Sequence, residues 1–415
     1  MVRSKLLNKM FFVFFVSFFF QQFWLLNIGT PLKPYMLLVI LIAPVLFLLP
    51  KVKIYSPKLL VLPFLFFIYM LFSFYQATNF NLVMVRFIGI ALLIVAYLIL
   101  VISSKHITLE AFYIFIKKFS YIYLGFSLIY YFIGIAGLLS FGMELDGDRK
   151  LFGLYMEGVL PRLRGGADSP NNFVLLLLLL NVGYLVSAST LNKKVSSIIM
   201  LASALCLLLT ISVTGYVAYA LLVAIISLRK VKYLLGLITL LTLSMVVLAF
   251  SYFQFEWLQQ IINARADRVS SGSGRLDLFA YILQLISEQP FFGFGLAQVR
   301  EFLVGFHGRD LQSAHNSFLE VFFEGGVLAV LLFISCWIML VLKVASSKMP
   351  IYIKLILLSY IGGLLLISMA NMMVYVELMI LNLFALVFYS RLVSIYINKT
   401  EKSSSVSTNY SLAHI

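Results

Sequence analysis

Along the chain, apolar runs long enough to cross a bilayer alternate with short polar connections. Twelve such runs fall near 10–29, 34–50, 58–75, 82–102, 112–140, 171–189, 195–212, 214–230, 233–252, 315–342, 351–370 and 373–397. A hydrocarbon core of about 30 Å needs roughly 20 helical residues to span it. In lipid, every backbone N–H and C=O must find its partner within the segment, which selects helices. The pattern predicts an all-α polytopic integral membrane protein of about 12 transmembrane helices, with 1–415 as a single transmembrane domain. The first run resembles a signal peptide, basic and then apolar. It is long, lacks a small-residue cleavage site and is followed by further spans, so an uncleaved first helix is expected.

Lysine and arginine set the expected orientation. With the N-terminus in the cytoplasm, Lys51, Lys53, Lys105, Lys117, Lys118, Lys193, Lys194, Lys343, Lys348 and Lys354 all fall inside. Two connections are long, a first outer loop over 141–170 and a large outer loop over 253–314. The polar, Ser-rich stretch 398–415 is expected to be a disordered cytoplasmic tail.

Composition agrees with the pattern: 62% of residues are hydrophobic and 11% charged, where a soluble domain carries about 25% charge. The formal net charge of +15 would suit nucleic acid, but its distribution argues otherwise. Of 12 arginines, eight lie in the two outer loops: Arg149, Arg162, Arg164, Arg265, Arg268, Arg275, Arg300 and Arg309. Of 19 lysines, only Lys150 does. Lysine thus serves topology inside, while arginine, suited to bidentate recognition of phosphate or carboxylate, gathers outside. Local ion pairing is the alternative, because Glu144, Asp146, Asp148, Asp267, Asp277 and Asp310 share those loops. Cys206 and Cys336 sit inside apolar runs and offer neither a disulfide framework nor a thiol metal site. Neither a metal site nor a nucleotide-sugar-binding domain is apparent in the sequence.

Four local patterns carry candidate chemistry. Leu160-Pro-Arg-Leu-Arg-Gly-Gly-Ala-Asp-Ser-Pro-Asn-Asn-Phe173 puts Arg162 and Arg164 just before a span that Ser169 or Asn171 can cap; the plain alternative is a capped loop with anchoring arginines. Ser270-Ser-Gly-Ser-Gly-Arg275 leads into Leu276–Glu288, whose apolar residues Leu276, Phe279, Ala280, Leu283 and Ile286 predict an amphipathic helix at the interface. Phe292-Gly-Phe-Gly295 predicts a flexible turn after Pro290, and with no preceding strand it is not a dinucleotide fingerprint. Gln312-Ser-Ala-His-Asn-Ser-Phe-Leu-Glu320 sets His315 at the water-facing end of a span, as a proton acceptor or as a helix anchor. Asn316, Glu320 and Glu324 recur at i, i+4, i+8, a polar stripe suited equally to interhelical packing and to catalysis.

The order Arg162-x-x-Gly-(x)4-Pro-Asn171, Ser273-Gly-Arg275, Gly293-Phe-Gly295, His315-Asn316, Glu324-Gly-Gly326 resembles the O-antigen polymerase/ligase superfamily, which includes the Wzy polymerases, the O-antigen ligases and some bacterial protein O-oligosaccharyltransferases. The resemblance covers about 150–340; many members have one glycine and an apolar pair where Gly325-Gly326 stands. It implies a GT-C-like fold in the bacterial inner membrane, an active site facing the periplasm, and undecaprenyl-pyrophosphate-linked oligosaccharide as donor and acceptor. It implies neither metal nor nucleotide sugar, and no cofactor. The positions matching Arg162 and Arg275 would hold the pyrophosphate, and that matching His315 would serve the acceptor. Arg164, Arg268, Asn171, Asn316 and Glu324 are further candidates for contact with pyrophosphate or glycan.

The expected function is polymerisation of lipid-linked repeat units by a Wzy-type glycosyltransferase. The nearest rival is an O-antigen ligase delivering glycan to lipid A-core. A flippase or transporter is a third reading, disfavoured by charges concentrated outside the spans and by the lack of detectable repeats. A chain-length regulator and a flippase are expected neighbours by analogy alone.

Overall fold

A computed structural model describes residues 2–23, 26–27, 31–47, 58–140, 149–158, 160–227, 259, 263, 275–304, 306 and 313–412. Their order is α1 (Val2–Ser17), β1 (Leu26–Asn27), β2 (Pro31–Leu32), α2 (Pro34–Phe47), α3 (Lys58–Phe72), α4 (Phe80–Ser103) and α5 (Leu109–Ser140). A small sheet follows, β3 (Arg149–Leu151), β4 (Leu154–Glu157) and β5 (Leu160–Leu163). The remainder is α6 (Pro170–Thr190), α7 (Ser197–Thr210), α8 (Val213–Ser227), α9 (Arg275–Glu288), α10 (Val299–Phe302), α11 (Ser317–Ala345), α12 (Ile351–Ala370) and α13 (Glu377–Leu412).

Among the described residues, six helices are long and apolar enough to cross a membrane: Phe80–His106, Leu109–Ser140, Pro170–Thr190, Ser317–Ala345, Ile351–Ala370 and Glu377–Glu401. The chain is therefore a mostly helical polytopic membrane protein. Among the described residues, α7, expected to span over 195–212, has only 14 residues. At 1.5 Å per residue it reaches only about 21 Å. The expected span 233–252 lies outside the described residues.

Two ends also differ from expectation. The first helix stops at Ser17 instead of running to 29, because the chain turns through Phe18–Phe23 and commits polar side chains to the protein interior. Gln21 Nε2 donates to Glu377 Oε1 at 2.6 Å, and Gln21 Oε1 accepts from the Asp168 N–H at 3.2 Å. At the other end α13 continues to Leu412 through the stretch expected to be disordered. Residues 398–412 contain no proline or glycine, so each added residue extends the backbone ladder by one bond.

Helix α6 is the axle of the bundle. It packs against α5, α7, α12 and α13, and its run Leu175–Leu180 is buried on every side, as expected of a helix that is apolar all round. Ser169 caps it, its hydroxyl accepting from the Asn172 N–H, with Pro170 at the first helical position. Around it, aromatic rings from α1, the turn after it, α5 and α13 interlock: Phe11 meets Phe388 at 5.2 Å, and Phe19 meets Tyr123 edge-on at 4.9 Å. Lipid tails are as apolar as these side chains, so close packing rather than escape from water holds such helices together.

The described residues between α5 and α6 include an antiparallel sheet in the order β3-β4-β5. Leu154 and Met156 point into the core while Tyr155 and Glu157 face the other way. Arg162 on β5 lies opposite Tyr155, which makes Glu157 its diagonal neighbour on the same face.

A second, smaller core joins α9 to α11. Leu278, Ile282 and Ile286 of α9 pack with Val299, Leu303, Ala314 and Phe323. The amphipathic helix expected from the sequence is present, but its buried face is this i, i+4, i+8 row. Leu276 and Leu283 stay exposed on another side.

Residues 290–295 form a docked wedge rather than a flexible turn. The Phe294 N–H donates to Phe323 O at 2.8 Å, the Gly295 N–H to Glu324 O at 3.0 Å, and the Val327 N–H to Pro290 O at 2.9 Å. These groups are available because α11 breaks at Gly326, where φ is 69° and ψ −167°. A Cβ on Gly326 would collide with the Phe291 carbonyl, and one on Gly293 (φ 72°) with Phe323 O. The Gly293-Phe-Gly295 and Gly325-Gly326 patterns thus encode one interlock.

Candidate functional site

Connections between helices tie together chain segments far apart in sequence. Lys33, just before α2, contacts Asp168 and Glu377 at 2.5 Å each. Burial opposes its charge, but Glu377 and Asp168 more than offset that and hold its ammonium above the ordinary lysine range. Gln298 Oε1 accepts from the Thr78 N–H and hydroxyl at 3.0 and 2.8 Å. These connections are the ones the lysine-based threading puts on the outer side.

Arg162, Arg275 and His315 converge within this assembly. Arg162 is buried, its Nε donates to Thr210 O at 2.8 Å, and its Nη1 forms an ion pair with Glu157. Its Nη2 lies 3.5 Å from Asn171 Oδ1, which also accepts from the Ser212 hydroxyl at 2.9 Å. Ser169, not Asn171, caps α6, so the Asn171 amide serves the site instead. Arg275, the first residue of α9, donates through Nη1 to Ala370 O at 3.0 Å. Burial lowers its pKa, Glu157 pulls it up, and the neighbouring Arg162 charge lowers it further.

His315 stands two residues before α11 in a left-handed conformation, φ 52°. Holding a non-glycine residue there costs about 1–3 kcal/mol, and its surroundings are built to keep it. Asn316 caps α11, accepting from the Phe318 and Leu319 N–H groups at 2.9 and 3.1 Å. Glu320 Oε2 accepts from the Ala314 N–H at 3.1 Å. Burial depresses the His315 pKa and the Arg275 charge adds to this, against a smaller opposing effect of Glu157. An imidazole whose charged form is disfavoured therefore lies near the Arg275 guanidinium and the Glu157 carboxylate, with Arg162 paired to that carboxylate.

The remaining candidates separate from this cluster. Arg164 is buried but bonds to its own loop, Nε to Leu154 O at 3.2 Å and Nη1 to Ala167 O at 3.5 Å, because the chain leaves β5 at Leu163 and turns. Asn316 is occupied as a cap. Glu324 lies deeper, where its Oε2 accepts from the Tyr375 hydroxyl at 2.7 Å and Arg86 covers the Tyr375 ring at 4.5 Å. Arg86 also approaches Glu320 at 3.9 Å. Arg268, Arg265, Arg309 and Ser273 lie outside the described residues. Among the described residues, no group of three His, Cys, Asp or Glu could hold a metal ion.

Residues 198–334 match a family model described as O-antigen ligase. The match supports the O-antigen ligase/polymerase superfamily. It covers about a third of the chain and includes Arg275, the glycine interlock and His315, while Arg162 and Asn171 precede it. The superfamily consists of glycosyl-transfer enzymes of O-antigen and lipopolysaccharide biosynthesis, working on lipid-linked oligosaccharides. No curated protein matches the chain.

Sequence patterns left several of this site's groups unmarked. Glu157 became visible only through the sheet register, and Ser212 and Thr210 O through the α7–α8 turn. Asn371 had one sequence signal, as a polar residue in the two-residue gap between two expected spans.

Proposed function

We propose that the chain transfers glycan from one undecaprenyl-pyrophosphate carrier to the sugar end of another at the periplasmic face of the inner membrane, as a Wzy-type polymerase. The observation carrying this reading is the meeting of Arg162 and Arg275, from loops 113 positions apart in the sequence, beside a half-buried His315 whose charged form is disfavoured. The acceptor hydroxyl oxygen bonds to the donor's anomeric carbon, and the bond from that carbon to the phosphate oxygen breaks. The electron pair leaves with the lipid diphosphate, whose growing charge Arg162 and Arg275 stabilise in a low-dielectric site. His315 accepts the hydroxyl proton. Direct displacement inverts the anomeric centre. The exposed apolar side of α9, with Leu276 and Leu283, serves as a rest for the lipid. A donor contact from Arg268, in the large outer loop, is the further contribution expected.

The competing reading is a ligase that delivers the glycan to lipid A-core, favoured by the description of the matching family model. Deleting the gene and running the lipopolysaccharide ladder separates the two. A single repeat unit on core, with the ladder gone, identifies a polymerase. Bare core with lipid-linked polymer accumulating identifies a ligase, and an unchanged ladder rejects both. Complementation with Arg275→Ala is expected to restore no ladder despite normal membrane levels.

A further inference from the structure

The break between α12 and α13 touches all three segments of the proposed site. Helix α12 ends at Ala370, and its last carbonyls have no partner within the helix. Ala370 O takes Arg275 Nη1 at 3.0 Å. The next residue, Asn371, is extended (φ −149°, ψ 151°), and its own carbonyl accepts from the Ser317 hydroxyl at 2.9 Å. Ser317 Oγ in turn accepts from the Met373 N–H at 2.8 Å, so the start of α11, two residues from His315, is clasped from both sides. The Asn371 side chain supplies the third link. Its Nδ2 donates back to Ile367 O at 3.3 Å, and its Oδ1 accepts from Asn171 Nδ2 at 2.8 Å.

The last bond fixes a polarity. With Asn171 Nδ2 used on Asn371, Asn171 presents its carbonyl oxygen to Arg162 Nη2 and to the Ser212 hydroxyl. Were the Asn171 amide reversed, an N–H would face the guanidinium. Asn371 is buried, so water does not readily replace this bond.

We propose that Asn371 is a positioning residue: through Asn171 it orients Arg162, and through its backbone it holds the His315 and Arg275 segments to one short non-helical stretch. This rests on the transfer reaction proposed above, and the test separates the two.

Transfer is followed with purified full-length protein in vesicles, using a lipid-diphosphate-linked oligosaccharide as donor and acceptor. The variants are Asn171→Ala, Asn371→Ala, the double variant, Asn371→Asp and, as a control for the reaction itself, Arg275→Ala. Asn171→Ala and Asn371→Ala are each expected to cut kcat about tenfold or more, in line with misplacement of a catalytic group by around 1 Å. The double variant should fall no more than about threefold below the worse single, because both remove the same link. Asn371→Asp keeps the acceptor oxygen for Asn171 and adds negative charge near the arginines. It should recover kcat relative to Asn371→Ala while raising KM for the anionic donor. Multiplying losses in the double variant, or an Asn371→Asp that shares the kcat of Asn371→Ala, would overturn the inference. If Asn371→Ala does not accumulate, Asn171→Ala and Asn371→Asp still decide it through kcat against KM. An inactive Arg275→Ala beside a fully active Asn371→Ala defeats the inference alone, whereas a fully active Arg275→Ala defeats the underlying reading.

Discussion

At the scale of single residues, His315 and Glu157 make the site's pH behaviour testable. Burial and the Arg275 charge hold the His315 pKa below its ordinary value of about 6.5. A reaction that uses neutral imidazole should therefore keep its rate through pH 6.5 and decline only further into acid. Glu157 pulls that pKa upward, so Glu157→Gln is expected to move the acid limb of the pH–rate profile lower still. It should also lower KM for the donor severalfold, since Arg162 no longer has a carboxylate competing with diphosphate. The linkage to stability has a definite sign. A histidine whose folded pKa is depressed binds more protons when unfolded, so its contribution is lost as pH falls below about 6.5. Thermal unfolding of the detergent-solubilised protein across pH 5 to 7 measures this, and His315→Gln should flatten that part of the dependence.

Among elements, the wedge 290–295 and the broken helix α11 form one unit, and the glycines that form it should be intolerant. Gly326→Ala forces a Cβ against the Phe291 carbonyl at positive φ. It should cost about 1–3 kcal/mol or more, visible as reduced membrane levels and a lower Tm. Gly125→Ala, in α5 with open space around it, is expected to be neutral or stabilising by up to about 1 kcal/mol. The same comparison shows what could be read from sequence. Helix starts such as Asn316 and Ser169 obey local capping chemistry, and apolar length located most helices within a few residues. The interlock was not legible, because its glycines answer to backbone atoms of a segment thirty positions away. The sheet was missed for a related reason: strands of three and four residues are too short for alternation to stand out. Arg162 and Arg275 could be nominated by residue type, but their separation from Arg164 depends on where β5 ends.

For the whole molecule, the cluster of Lys33, Asp168, Glu377 and Gln21 joins the start of α2, the loop before α6 and the start of α13. Removing one partner of a buried ionic group leaves uncompensated charge and typically costs about 3–5 kcal/mol. Lys33→Met should accordingly destabilise the protein more than Lys33→Met combined with Asp168→Asn and Glu377→Gln, when both are followed by thermal unfolding in detergent. Sidedness is also measurable at this scale. Cys206 and Cys336 are buried, so single cysteines introduced at exposed positions report cleanly. A membrane-impermeant maleimide is expected to label Ser287→Cys from outside and to leave Lys193→Cys unlabelled until the membrane is opened. The reverse pattern would invert the proposed topology.

The brevity of α7 has a consequence for the surrounding lipid. At 14 residues it stops about 9 Å short of a full hydrocarbon thickness, and the turn after it carries Thr210 and Ser212, which touch Arg162 and Asn171. A bilayer meeting that flank must thin or admit headgroups to match it. The dimple so formed would bring a carrier's diphosphate down to Arg162 while its isoprenoid tail stayed among the acyl chains. Turnover should therefore be faster in vesicles of shorter-chain phospholipids and slower in thick, sterol-like ordered ones, with the chain-length optimum shifting once α7 is extended by a turn.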